Sequence, residues 1–241
     1  PEVRALRSLL FGVTLTREAG PGLQARVLAF GELLSTRLGA AFLRARGVDA
    51  AWLDARDLLV SSEDPSVLPR RAYLSATCDA APDPTLMEAL AAHGEPALVT
   101  QGYIARSPTG ETVLLGRGGS DTSAAYLAVR LRAVRCEIWT DVPGIFSANP
   151  RLIPQARLLR SLNYEEAQEI VSAGAKVLHP RSILPLRTAR IPICLRDVFH
   201  PGAEGTVISP EAAGDSAQVK AISTKRGVTL ISMDTVGMWQ Q

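Results

Sequence analysis

Apolar residues recur at steps of three and four at Leu23, Val27, Phe30, Leu34, Leu38 and Ala41. That spacing predicts one apolar face of a long helix, which Gly47 ends. Val48 to Ala55 then reads as a short strand. The stretch from Ser61 to Pro84 has little pattern and reads as irregular, with a strand near Tyr73. Leu86 to Ala92 reads as a helix. Pro96 to Ala105 (PALVTQGYIA) is expected to form one strand, SPTGE a turn, and Thr112 to Leu115 a second strand. So tight a link between two strands predicts an antiparallel hairpin. In LLGRGGSDTSAAYLAVRLRA the strand gives way at Leu115 to a glycine turn, and a helix follows to about Ala133. Cys136 to Val142 is a strand, Tyr164 to Ala173 and Ser182 to Ala189 are helices, and Pro192 to Asp197 and Thr206 to Ser209 are strands. Strands and helices alternating in this way predict an α/β domain with a mainly parallel sheet.

With 241 residues, 46% hydrophobic and 21% charged, the chain is globular in composition and long enough for one large domain and part of another. SPEAAGDSAQ, Ser209 to Gln218, is small and polar and reads as a linker. VKAISTKRGVTLISMD, from Val219, begins a new β pattern that residues 219–241 are too few to complete. The net charge of +2 and the scattered arginines give no basic block for a nucleic acid. No apolar run approaches the roughly 20 residues that span a bilayer, and Glu2, Arg4 and Arg7 rule out a signal peptide at the first residues. Cys78, Cys136 and Cys194 lie far apart and form no CxxC metal pattern; they read as reduced thiols in a cytoplasmic protein.

Chemistry concentrates at three places. In GRGGSD, Gly116 to Asp121, a helix begins directly after glycines. The first N–H groups of a helix are unpaired and carry about half a positive charge, and glycines let a ligand approach the backbone. Ser120 is a natural N-cap, Asp121 suits the first turn, and Arg117 offers a planar fork to a carboxylate. The turn reads either as a cradle for phosphate or carboxylate or as an ordinary tight turn with a good cap. It is neither a Walker A loop nor a Rossmann fingerprint. In IWTDVPGIFSANPR, a strand ends at Thr140 and Asp141, where parallel α/β sheets place ligands; Asp141 either faces a ligand or caps the turn. In SAGAKVLHP, Lys176 is either a phosphate contact or a surface residue with a buried stem. His179, ahead of Pro180, reads as structural.

In this order and spacing, LGRGGSD, WTDVPGI, NPR and GAKVLHP, with GELLS at Gly31 to Ser35 and TQGYIA from Thr100, resemble the aspartokinases of the amino-acid kinase superfamily. The resemblance spans about residues 20 to 209. It implies a three-layer α/β/α sandwich of the carbamate kinase type, with a catalytic domain over residues 1–208, the linker over 209–218, and the start of a regulatory ACT region over 219–241. It also implies transfer of the ATP γ-phosphoryl group to the side-chain carboxylate of L-aspartate, the first step towards lysine, methionine and threonine. Mg²⁺ would enter with ATP. A regulatory amino acid would bind the ACT region, and the full-length protein would be a homo-oligomer. Glu32 would hold the substrate ammonium, and Arg117, Gly118, Gly119 and Ser120 would bind aspartate, Arg117 on a carboxylate. Asp121 would orient neighbouring charges. Thr140, Asp141, Phe146, Arg151, Lys176 and Val177 would line the ATP site. Helical phase alone places Glu32 opposite the Leu23–Leu34 stripe, on a solvated face.

The chain departs from the family pattern at two positions, where Phe146 replaces a tyrosine and Asn149 an aspartate. Aspartokinases also open with a strand ending in Lys-Phe-Gly-Gly, and nothing similar occurs in Pro1 to Gly20. The expectation is a catalytic domain without its first strand and lysine, inactive alone and prone to pair its exposed edges. The alternative is a kinase-like module that binds aspartate or nucleotide without turnover.

Overall fold

The computed structural model describes residues 2–175, 177–211, 219–224, 227 and 229. Helix α1 (Glu2–Thr16) packs on α2 (Pro21–Ala45). Pro21 suits the first turn of α2, where its missing N–H costs nothing. At its end the chain turns through Gly47, at φ +80°, as the sequence predicts. The buried face of α2 differs from the expected one. It consists of Ala25, Ala29, Leu33 and Ala40, while Leu38 of the expected stripe is 72% exposed. Small residues win this face because α2 lies close against β1 (Ala50–Trp52), against α4 (Pro69–Leu74) and against β4 (Thr112–Leu114). The periodicity is helical on both sides, so spacing alone could not choose between them.

Between these elements, α3 (Ala55–Leu58) is capped by Asp54, whose carboxylate accepts the Arg56 N–H at 3.0 Å. The strand expected near Tyr73 is instead helix α4, with Pro69 in its first turn. After α5 (Pro84–Ala91), the single strand expected over 96–105 divides into β2 (Ala97–Val99) and β3 (Ile104–Arg106). The break falls at Gly102 and at Tyr103, which holds φ +69°. Strand β2 pairs in parallel with β1, and β3 forms the expected antiparallel hairpin with β4.

The second half begins with α6 (Gly119–Arg130), and β5 (Cys136–Thr140), β6 (Ser161–Leu162), α7 (Tyr164–Ser172), α8 (Pro180–Thr188), β7 (Ile193–Asp197) and β8 (Thr206–Ile208) follow. Its sheet runs β5-β7-β8-β6; β5–β7 and β6–β8 are parallel, and β7–β8 is antiparallel. Parallel pairs therefore predominate among the described strands, as expected, although the hydrogen bonding divides them into three sheets. Asn163 and Glu166 form a capping box at the start of α7. The largest apolar cluster joins Ala125, Val129, Ile145, Leu162, Ile183, Leu186, Ile193 and Leu195. Each such Leu or Ile side chain contributes about 1.5–3 kcal/mol on burial. Among the described residues no helix is long and apolar enough to cross a membrane. Most of the expected linker and of the expected ACT strand, Val228 to Met233 included, lies outside the described residues. Residues 219–224 run back over the second half: Lys220 pairs with Glu166 at 2.7 Å, and the Ile222 N–H donates to the Ser147 carbonyl at 2.8 Å.

Candidate active site

The glycine turn joins β4 to α6 and is built around its missing side chains. Gly116 and Gly118 hold φ of +74° and +66°, where a side chain is disfavoured. A Cβ on Gly116 would stand 2.7 Å from Ser75 Oγ, one on Gly118 would overlap the His179 ring, and one on Gly119 would stand 2.5 Å from Tyr103 Cδ2. The glycines thus let neighbouring protein elements close onto the turn, a role beside the two that the sequence offered, a cradle for an anion or an ordinary capped turn. The helix also starts earlier than expected. Gly118 is the N-cap and makes no side-chain capping bond, which places Ser120 inside the first turn rather than at the cap. Ser120 remains exposed, and its amide and that of Asp121 belong to the turn that has no intrahelical acceptor.

Asp121 ties two of the sequence motifs together. Its carboxylate accepts the backbone N–H of His179, the N-cap of α8, at 3.0 Å. Burial raises the Asp121 pKa above the ordinary carboxyl value; the His179 N–H offsets part of that rise. His179 is structural, as expected: its Nδ1 accepts the Arg181 N–H at 3.3 Å. Burial, with Arg181 nearby, lowers its pKa. Arg181 reaches back to the strand end, donating to the Leu115 carbonyl at 2.7 Å and to the Ala76 carbonyl at 3.1 Å. Sequence reasoning missed Arg181, although it follows directly on the VLHP motif.

Arg117 is exposed and makes no hydrogen bond or ion pair among the described residues. Glu32 is half-buried on α2, beside Leu33, and not on a solvated face. The correction follows from the face that α2 buries. The Glu32 carboxylate also has no partner among the described residues, and burial raises its pKa. Tyr103 lies against the turn, its Cδ2 beside Gly119, and within reach of the Glu32 charge. It packs with the cluster of Ala25, Ala29 and Leu33, and its N–H donates to Ser123 Oγ at 2.8 Å. Burial raises the Tyr103 pKa, and the charge of Glu32 adds to the rise. Two residues before it, the buried Gln101 accepts the Ala55 N–H at 2.8 Å and donates to Thr36 Oγ1 at 2.9 Å. The Thr100 hydroxyl is buried with no partner among the described residues. A polar Thr-Gln pair inside an apolar run was the available signal for this segment.

The second group of expected residues begins at the carboxyl end of β5. Thr140 ends β5, and its Oγ1 lies 3.2 Å from Asp141 Oδ1. Asp141 and Arg151 are exposed, and Phe146 is half-buried in a short bridge to Leu158. The Arg151 N–H is held by Asn149 Oδ1 at 3.0 Å, a turn that Asn supports as Asp would. Val177 is half-buried against the main core; Lys176 lies outside the described residues. An unexpected carboxylate joins this rim. Asp197, beside Thr140 in register, accepts the Phe199 N–H and pairs with His200 Nδ1, both at 2.9 Å. The His200 bond holds the Asp197 carboxyl below its ordinary value. Among the described residues no three His, Cys, Asp or Glu side chains cluster as a metal site.

Comparison with known proteins agrees with the motifs. The chain is 39% identical over 190 residues to the bifunctional aspartokinase/homoserine dehydrogenase of Haemophilus influenzae, covering 78% of this chain and 23% of that protein. It is 33% identical over 238 residues to the lysine-sensitive aspartokinase 3 of Escherichia coli, covering 97% of this chain and 51% of that protein. The crystal structure of E. coli aspartokinase III in complex with aspartate and ADP superposes with a TM-score of 0.70 at 34% identity, covering 86% of this chain and 46% of that one. The chain thus spans between about a quarter and about half of the relatives it matches. Residues 3–197 match the model of the amino acid kinase family, and the chain belongs to that family.

Proposed function

We propose that this chain is the catalytic part of an aspartokinase, transferring the γ-phosphoryl group of ATP to the side-chain carboxylate of L-aspartate. One observation carries the reading. Near the glycine turn stand an anion and a cation that the protein leaves without partners among its described residues, Glu32 and Arg117. They complement the two charges of an α-amino acid. A half-buried carboxylate without a cation is costly, and an ammonium group supplied by a ligand removes that cost. Arg117 takes the α-carboxylate, and the Ser120 and Asp121 amides at the start of α6 add donors.

The side-chain carboxylate of aspartate is then the nucleophile. It is ionised at neutral pH, so the protein needs no general base. What it must do is align two anions and screen their repulsion. Arg117 and the α6 amides do this from the amino-acid side. On the nucleotide side, Thr140, Asp141, Phe146, Arg151, Lys176 and Val177 would line the ATP site, Arg151 and Lys176 supplying the screening charge, near the strand end where α/β sheets hold such ligands. Mg²⁺ carried by ATP would neutralise phosphate charge. In this reading the protein is cytoplasmic and oligomeric, and a regulatory amino acid binds the region that begins near Val219. The bond from Ile222 to Ser147, next to Phe146, supports a mechanical link between that region and the nucleotide rim.

The test is a coupled assay of ADP release by the full-length protein, with the acyl phosphate trapped by hydroxylamine. Release that requires L-aspartate and yields the hydroxamate is expected. ADP release indifferent to L-aspartate, or nucleotide binding with no turnover, would overturn the reading.

A further inference from the structure

The segment between β2 and β3 holds a feature that the turn motifs do not explain. Tyr103 adopts φ +69°, a left-handed conformation that is a real outlier for a bulky residue. Such backbones persist only where the surroundings hold them, and they gather at ligand sites. The surroundings here are specific. The Tyr103 N–H is held by Ser123 of α6, and its carbonyl accepts the Leu115 N–H at 2.8 Å. Both bonds run to the strand and helix that flank the glycine turn. The ring lies so close to Gly119 that a Cβ there would stand 2.5 Å from Cδ2. The residue also packs against the apolar cluster that includes Ala29 and Leu33, the α2 neighbours of Glu32. Its hydroxyl has no hydrogen-bond partner among the described residues.

We propose that Tyr103 is a substrate-positioning residue, whose hydroxyl accepts a hydrogen bond from the amino-acid ammonium that Glu32 holds. The inference rests on the amino-acid reading above. The chemistry requires two groups of different kinds. Glu32 supplies the charge, but an ammonium has three N–H donors, and one monodentate carboxylate contact fixes its distance without fixing its direction. A phenolic oxygen on a braced backbone supplies a second acceptor. Its ring also excludes water from one side, which strengthens the Glu32–ammonium attraction. Because the same residue is bonded to Ser123 and Leu115, the ammonium is aligned with the turn that carries Arg117. The two ends of the substrate are thereby set by one rigid unit.

The experiment compares L-aspartate with succinate, which has both carboxylates and no ammonium, by titration calorimetry on the full-length protein and on Tyr103→Phe. The phenylalanine keeps the ring, the packing on Gly119 and the backbone bonds. The expected result is about a 10- to 150-fold weaker affinity for L-aspartate, the scale of one lost hydrogen bond to a charged group, with succinate affinity unchanged. Equal weakening for both ligands would assign Tyr103 a purely structural role and overturn the proposal, as would unchanged affinity for both. If the unsubstituted protein bound no L-aspartate, the amino-acid reading itself would fail, a result distinct from either. Should Tyr103→Phe unfold, Ser123→Ala removes the brace from the backbone side. It is expected to weaken L-aspartate more than succinate, and the opposite ranking would count against the proposal.

Discussion

The carboxylate of Asp121 accepts the backbone N–H of His179 at 3.0 Å, across 58 residues of sequence, and so fixes the glycine turn to the start of α8. Burying that carboxylate has a thermodynamic cost with a definite sign, which the His179 N–H offsets in part. Burial raises the Asp121 pKa above its ordinary value of 3.8. A carboxyl whose pKa is higher folded than unfolded holds its proton more tightly in the native state. Its contribution to stability is fully present below the unfolded value and is lost as pH rises through the folded one. At neutral pH the charged form therefore costs stability. Asp121→Asn removes the charge and keeps an acceptor for His179. Its urea midpoint at neutral pH should exceed that of the unsubstituted chain, and the gain should disappear below about pH 3.8. Asp121→Ala leaves the amide unpaired and should lose about 1–3 kcal/mol. A lower neutral-pH midpoint for Asp121→Asn would show the charge to be net stabilising.

The ring of the same His179 makes Gly118 harder to replace than another left-handed glycine. Gly110, at φ +89° in the hairpin loop, has open space where a Cβ would go. Gly110→Ala should cost only the backbone penalty, about 1–2 kcal/mol. Gly118→Ala has that penalty and a collision with the His179 ring. Its loss in stability should exceed that of Gly110→Ala by at least about 1 kcal/mol, the lower end of the cost of overpacking. Thermal unfolding of the two variants under the same conditions checks this, and equal losses would mean that His179 moves aside freely.

Local chemistry determined how much could be read in advance. Elements written by strong periodicity and clear punctuation, such as α6, β5, α7 and the β3–β4 hairpin, were legible. The face of α2 was not, because Ala25, Ala29 and Ala40 are buried for their small size and leave no hydrophobic signature stronger than Leu38 on the opposite side. The division of 96–105 was hidden by a tyrosine in a conformation that sequence assigns to glycine. At the site, the turn and the strand end at Thr140 were visible because glycine, proline and acidic residues interrupt apolar runs there. The roles of Gly118 and Gly119 as packing positions were invisible, since the partners, His179 and Tyr103, come from distant segments. Glu32 was assigned by resemblance and misplaced by phase for the same reason that α2 was misread.

Gln101 offers a test of the buried network that supports this segment. Its carboxamide accepts from Ala55 N and donates to Thr36 Oγ1 and to the Leu53 carbonyl at 3.1 Å. Gln101→Leu fills the space but leaves the buried Ala55 N–H without an acceptor, and should cost about 1–3 kcal/mol. Gln101→Glu has no donor for Thr36 or Leu53 and adds a buried charge, so it should be the less stable of the two. Urea unfolding ranks them; the reverse order would place water in the network.

Arg117 separates chemistry from stability most cleanly. Its guanidinium is exposed and unpartnered among the described residues, so Arg117→Ala should move the unfolding free energy by no more than about 0.5 kcal/mol. If it holds the substrate carboxylate, the same change should remove roughly 2–4 kcal/mol of transition-state stabilisation, seen as a fall in kcat/KM for L-aspartate in the full-length protein. Arg117→Lys keeps the charge and loses the planar fork, so it should recover only part of the loss. Asp141→Ala supplies the contrast, because it stands at the other rim, at the end of β5. It should raise the KM for ATP or depress kcat and leave the KM for L-aspartate unchanged. The two variants assayed side by side distinguish a site with two separate rims from a single shared pocket. If Arg117→Ala moved only the ATP KM, or Asp141→Ala only the aspartate KM, the assignment of the two rims would be wrong, even with the family unchanged.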